Sequence, residues 1–133
     1  MMEFTELAEH LAAYRLPNGM RVLVCPQPGF RQKCAYLATD FGSMHRTFTF
    51  DGVTHTVPAG TAHYLEHKLF DMPGGRDVEA EFAALGASVN AMTAYDMTAY
   101  YFSCTENFAQ SLALLLEFVT TPCFCLLYTS DAA

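Results

Sequence analysis

Positive charge is scarce in this sequence. Seven Lys plus Arg stand against 14 Asp plus Glu in 133 residues, a formal net charge of −7 at pH 7. A surface that neutralises phosphates needs clustered basic residues, and none is visible, so nucleic acid is not an expected partner. Long apolar runs are missing as well. No stretch reaches the length that spans a bilayer, and the longest candidate, residues 111–119, is interrupted by Glu117. The opening MMEFTELAEH is acidic and lacks the apolar segment of a secretory signal. These absences lead to the expectation of a soluble, intracellular protein with no membrane partner. The five cysteines, Cys25, Cys34, Cys104, Cys123 and Cys125, are odd in number. Without a secretory signal they argue against a disulfide framework, and Cys123-Phe124-Cys125 is too closely spaced for a zinc knuckle. Reduced, mostly structural thiols are expected.

Apolar side chains are abundant. They make up 52% of the chain, with eleven Phe and seven Tyr, which is the composition of a folded domain. The length suits one core. Residues 11–26 read as a hairpin, LAAYRL and MRVLVC around Pro17-Asn18-Gly19. CAYLAT is a short strand. RTFTF and VTHTV alternate on either side of Asp51-Gly52, a second hairpin. From Thr61, a possible cap, the period changes to that of a helix, AHYLEHKLF, closed by Pro73-Gly74-Gly75. Asp77 caps a second helix that Gly86 ends. ASVNAMTAY and MTAYYFSC are two more strands around Tyr95-Asp96. The last helix spans about Glu106 to Thr120, with Phe108, Leu112, Leu115, Leu116 and Val119 as its apolar stripe. Strands and helices are grouped rather than alternating, so the class is α+β.

The run TAHYLEHKLF carries His63, Glu66 and His67. On a helix, positions i and i+4 project the same way, so two imidazoles can take two corners of a tetrahedral zinc. Glu66, at i+3, can reach a water on that ion as a general base. Spacing alone leaves a second reading open, in which exposed His and Glu form ordinary helix-surface pairs. His10, His45 and His55 read as surface or hairpin residues.

The wider sequence resembles the insulinase/pitrilysin family of inverted-motif zinc metallopeptidases, which includes the processing peptidases. The blocks that carry the resemblance are LPNGMRVLV, GTAHYLEHKLF, LGASVNAMTAYDMTAYYFSC and NFAQSLALLLEFVTTPCF, from residue 16 to residue 124. TAHYLEHKLF is similar to a bacterial, cytoplasmic branch. The resemblance implies a partial two-layer α+β domain, mostly antiparallel sheet packed on helices, of the LuxS/MPP-like metallohydrolase kind. It implies Zn2+ as cofactor, His63 and His67 as metal ligands and Glu66 as catalytic base. It also implies that Asn90 and Ala91, in VNAMT, bind the backbone of a peptide substrate by strand addition. The third ligand, a Glu on a later helix, falls past Ala133. Glu106 and Glu117 come too early for that role.

The final residues, CLLYTSDAA, lack periodicity and resemble the in-frame translation of a transposon-end adapter from sequencing libraries. The expected organisation is a truncated metallopeptidase domain in residues 1–124 and a non-native tail in residues 125–133. The expected function is the N-terminal part of a zinc metalloendopeptidase acting on peptides or unfolded segments. With one ligand missing, the isolated chain is expected to be inactive. The alternative is a non-catalytic partner subunit of a homologous peptidase pair. The retained Glu66 beside two ligands favours the enzyme.

Overall fold

The computed structural model describes residues 2–4 and 9–124, and the chain divides after Arg31 into two units. The expected tail, residues 125–133, lies outside the described residues.

The first unit is a three-stranded antiparallel sheet, β1 (Met2–Phe4), β2 (Glu9–Arg15) and β3 (Arg21–Val24), in that order. The hairpin expected from Pro17-Asn18-Gly19 is present. Arg15 pairs with Arg21, Leu16 N donates to Met20 O (2.9 Å), and Gly19 takes φ +88°. The Asn18 side chain accepts from Met20 N (3.1 Å), the local bond that makes Asn a turn former. The pairing of β1 onto β2 has no signal in the sequence pattern.

The second unit has a three-stranded antiparallel sheet, β4 (Lys33–Thr39), β8 (Thr98–Cys104) and β7 (Ala87–Thr93), in the order β4-β8-β7. A separate ribbon pairs β5 (Thr47–Phe50) with β6 (Val53–Thr56). Its helices are α1 (Thr61–Leu69), α2 (Val78–Ala84) and α3 (Phe108–Thr120). Register explains the layering. Ala35, Phe102 and Val89 form one cross-strand row, and Leu37, Tyr100 and Ala91 the next. All of these belong to the core, with Val78 and Phe82 of α2 and Leu114, Leu115 and Phe118 of α3. One sheet face is therefore roofed by helices, as alternation requires. On the other face Tyr36 stacks on Tyr101, ring centroids 4.7 Å apart. This is the expected α+β, two-layer arrangement. Phe118 is at the centre, with ring centroids 5.2 Å from Phe70, 5.7 Å from Tyr100 and 6.2 Å from Phe82.

Two local expectations need correction. Gly60, at φ +87°, occupies the position before α1, and Thr61 is the first helical residue. Its hydroxyl donates back to Pro58 O (2.8 Å) instead of capping the helix. In α3 the buried residues are Ser111, Leu114, Leu115 and Phe118, whereas Leu116 is 39% exposed. The other four stripe residues face the core as expected: Leu115 is buried, and Phe108, Leu112 and Val119 pack against the core. Leu116 alone is misplaced, and Leu114 and Phe118, absent from the expected stripe, are buried. Ser111 fits inside because its hydroxyl donates to Asn107 O (2.9 Å). Asp77 caps α2 as expected, accepting from Ala80 N (3.0 Å). Arg76 bridges α2 and α3, donating to Glu81 (2.7 and 2.8 Å) and Glu117 (2.5 Å), and holds both carboxyls below the usual carboxylate range.

In the ribbon, Asp51 (φ 49°) and Gly52 (φ 75°) supply the paired positive φ angles of a tight hairpin turn. Threonine hydroxyls meet across one face, at Thr47–Thr56 and Thr49–Thr54. On the other face Phe48 stacks on His55. The ribbon closes where Val57 N donates to Arg46 O (2.8 Å). Cys25, Cys34, Cys104 and Cys123 are free thiols, and only Cys104 is fully buried. No described helix is long and apolar enough to cross a membrane.

The segment before the ribbon is pinned to the β7–β8 turn. Ser43 N donates to Ala94 O (3.0 Å), Met44 N to Tyr95 O (2.9 Å) and Thr98 Oγ1 to Phe41 O (2.8 Å). Gly42 lies so close that an added Cβ would sit 2.5 Å from Met97 N and 2.7 Å from Ala94 O. Neither backbone atom can swing aside. Gly42→Ala is therefore expected to destabilise the fold by about 1–3 kcal/mol or more, read as a lower denaturation midpoint.

Candidate metal and active site

The helix α1 supplies the cluster. It contains no Gly or Pro, starts from the left-handed Gly60 and ends with Phe70 N donating to His67 O (3.2 Å). One turn brings the His63 and His67 rings together, centroids 4.7 Å apart, with their Nε2 atoms 3.0 Å apart. A ligand atom from each of His63, Glu66 and His67 lies within 4.8 Å of the others. The donor set suits zinc. Nitrogens about 2.0–2.1 Å from a tetrahedral ion lie roughly 3.3 Å from each other. The observed separation is close to that edge.

Burial divides the three residues. His63 and His67 are exposed, whereas Glu66 is only 8% exposed and turns toward the sheet. There its Oε2 accepts a hydrogen bond from Thr93 Oγ1, at the end of β7. The Tyr100 ring, 5% exposed, lies in the same region. Burial, and then the charge of Glu66, push its hydroxyl pKa up to about 12.

Asn90 and Ala91 lie on β7, outside the cluster. Ala94 N donates to Met97 O (2.8 Å), which fixes the ladder parity. Asn90 and Met92 bond to β8, while the backbone groups of Val89, Ala91 and Thr93 point away from it. Among the described residues no strand pairs with that side of β7. Ala91 N is met there by Asn90 Oδ1 (2.8 Å). The Asn90 side chain is exposed on the sheet face opposite the core, so it is not brought to the His pair.

The other sequence candidates stay apart. His45 Nδ1 accepts from Gly42 N (2.9 Å), and His55 stacks in the ribbon. Glu117 is held by Arg76, and Glu106 is exposed. Thr93 and Tyr100 are the contacts that sequence reasoning missed. Their signal was present: Ala91 and Thr93 are two apart on a strand, so both face the helices.

The sequence profile of the insulinase family, peptidase family M16, matches residues 31–131. The chain belongs to that family. Among M16 relatives, a zinc protease of Bacillus subtilis (strain 168), YmfH, is 41% identical over 125 residues, covering 92% of this chain and 29% of the relative. An M16-like peptidase from Alicyclobacillus acidocaldarius is 45% identical with a TM-score of 0.83, over 88% of this chain and 27% of that one. Pitrilysin is 28% identical with a TM-score of 0.67, over 86% of this chain and 12% of its own. The chain thus spans under a third of the length of these M16 relatives.

The environment of Tyr100 is testable. Its ionised form is disfavoured in the fold but not in the unfolded chain, where tyrosine titrates near 10. The stability this contributes is complete below pH of about 10 and is lost as pH rises toward about 12. Alkaline denaturation profiles should show that loss in the parent chain and a smaller one in Tyr100→Phe.

Proposed function

We propose that this chain carries the metal helix and general base of a zinc metalloendopeptidase that cleaves peptides or unfolded protein segments. The observation that carries the reading is the pair of Nε2 atoms 3.0 Å apart with a buried carboxylate beside them. His63 and His67 are the residues that would hold zinc through Nε2. Zinc, when bound, makes a water acidic and polarises a carbonyl. Glu66 receives the proton of the attacking water on a carboxylate oxygen and returns it to the leaving amine. Its burial suits that work, because a fixed and poorly hydrated base needs little rearrangement during reaction. A base beside two ligands also favours an enzyme over a partner subunit without chemistry.

The outward backbone groups of Val89, Ala91 and Thr93 form the edge on which an extended peptide would add as a further strand. Asn90 and Ala91 are then the substrate-binding pair, with Asn90 Oδ1 giving up the Ala91 N–H to the incoming backbone. A third protein ligand outside these 133 residues completes the site, and hydrolysis belongs to the whole protein, with this chain alone inactive. The compartment proposed is the cytoplasm.

Two substitutions in the whole protein test this reading. Glu66→Gln should leave zinc content unchanged and lower peptide hydrolysis by roughly 10²–10⁴-fold, since the amide cannot take the proton. Loss of zinc would instead make Glu66 a ligand. Ala91→Pro removes an N–H that makes no ladder bond, so circular dichroism should be preserved. KM should rise several-fold, in line with about 1 kcal/mol for a lost backbone hydrogen bond. An unchanged KM would place the substrate elsewhere.

A further inference from the structure

We propose that Thr93 is a positioning residue for Glu66, its hydroxyl fixing which carboxylate oxygen is free to take the proton. The proposal rests on the reading of Glu66 as general base. A carboxylate terminates in a torsion that is broad and nearly twofold, so an unheld Glu66 presents either oxygen in a range of orientations. Thr93 Oγ1 donates to Oε2 and thereby leaves Oε1 as the open acceptor.

The donor is itself held. Threonine is branched at Cβ, which restricts its side-chain torsion. Thr93 is the last residue of β7 and stands opposite Thr98 of β8, which stands opposite Thr39 of β4. Immediately after it, Ala94 N donates to Met97 O (2.8 Å) and Ala94 O accepts from Ser43 N (3.0 Å). Thr98 Oγ1 ties the same level of the sheet to Phe41 O (2.8 Å). The hydroxyl therefore comes from a strand residue whose successor, Ala94, and cross-strand neighbour, Thr98, are both tied down, not from a free loop. It meets a carboxylate that is 8% exposed, where water is poorly placed to substitute. If the hydroxyl did no more than solvate a buried charge, its loss would weaken α1 and its metal together. Positioning acts on turnover instead.

The test compares Thr93→Val, which keeps the shape and loses the donor, with Thr93→Ser, which keeps the donor. In the metal-free 133-residue chain, the Glu66 13Cδ resonance, assigned with Glu66→Gln, should move in Thr93→Val and stay near its original position in Thr93→Ser. In the zinc-loaded whole protein, Thr93→Val should lower kcat by about 10–100-fold, the scale of a misplaced reacting group. KM should stay within about twofold, zinc stoichiometry should be unchanged, and Thr93→Ser should recover most of kcat. Unchanged kcat in Thr93→Val overturns the proposal. So does loss of zinc, or a serine variant as slow as the valine one. If the whole protein shows no Glu66-dependent hydrolysis, the peptidase reading fails and the positioning role falls with it. The resonance still reports whether the contact exists, and an unmoved Glu66 signal in Thr93→Val removes it.

Discussion

Antiparallel pairing of β7 with β8, in the register that sets Ala91 against Tyr100 and Thr93 against Thr98, governs both the core and the cluster on α1. A slip of one residue would send Val89, Ala91 and Thr93 to the opposite face. Phe82 and Phe118 would then meet polar side chains, and Glu66 would lose the hydroxyl it faces. The register is secured where it is most easily lost, at the hairpin end. There the close approach of Gly42 lets a neighbouring segment lie along the turn.

Against that sheet, α1 divides its polar residues by exposure. The imidazoles stay at the surface, while the carboxylate points inward to Thr93 and the Tyr100 ring. The i, i+3, i+4 spacing achieves this because the third position is rotated from the others about the helix axis. Two imidazoles and a carboxylate can thus share one turn and still sit in different surroundings.

The parts of the fold legible in the sequence are those set by adjacent residues. Asn18-Gly19, Asp51-Gly52 and the Asp77 cap act over one to three positions, and each is found where the residue types place it. The spacing of His63 and His67 is of the same kind. The stripe of α3 is legible at Phe108, Leu112, Leu115 and Val119, but the burial of Leu114 and Phe118 in preference to Leu116 is set by what the helix packs against. The contact of Glu66 with Thr93 spans 27 positions and depends on strand register, for which a single sequence holds only the alternation. The family blocks pointed to Asn90 and Ala91, yet their opposite orientation follows from the pleat.

The ribbon of β5 and β6 leaves and re-enters the chain at one place, where Val57 meets Arg46. Its ladder is complete within itself, and among the described residues no third strand pairs with it. Lengthening or shortening it by matched pairs of residues would leave its base, and hence the start of α1, where it is. The segment leading into α1 can thus change in length without moving the start of that helix. The Asp51-Gly52 tip is correspondingly a natural place to splice in a reporter peptide.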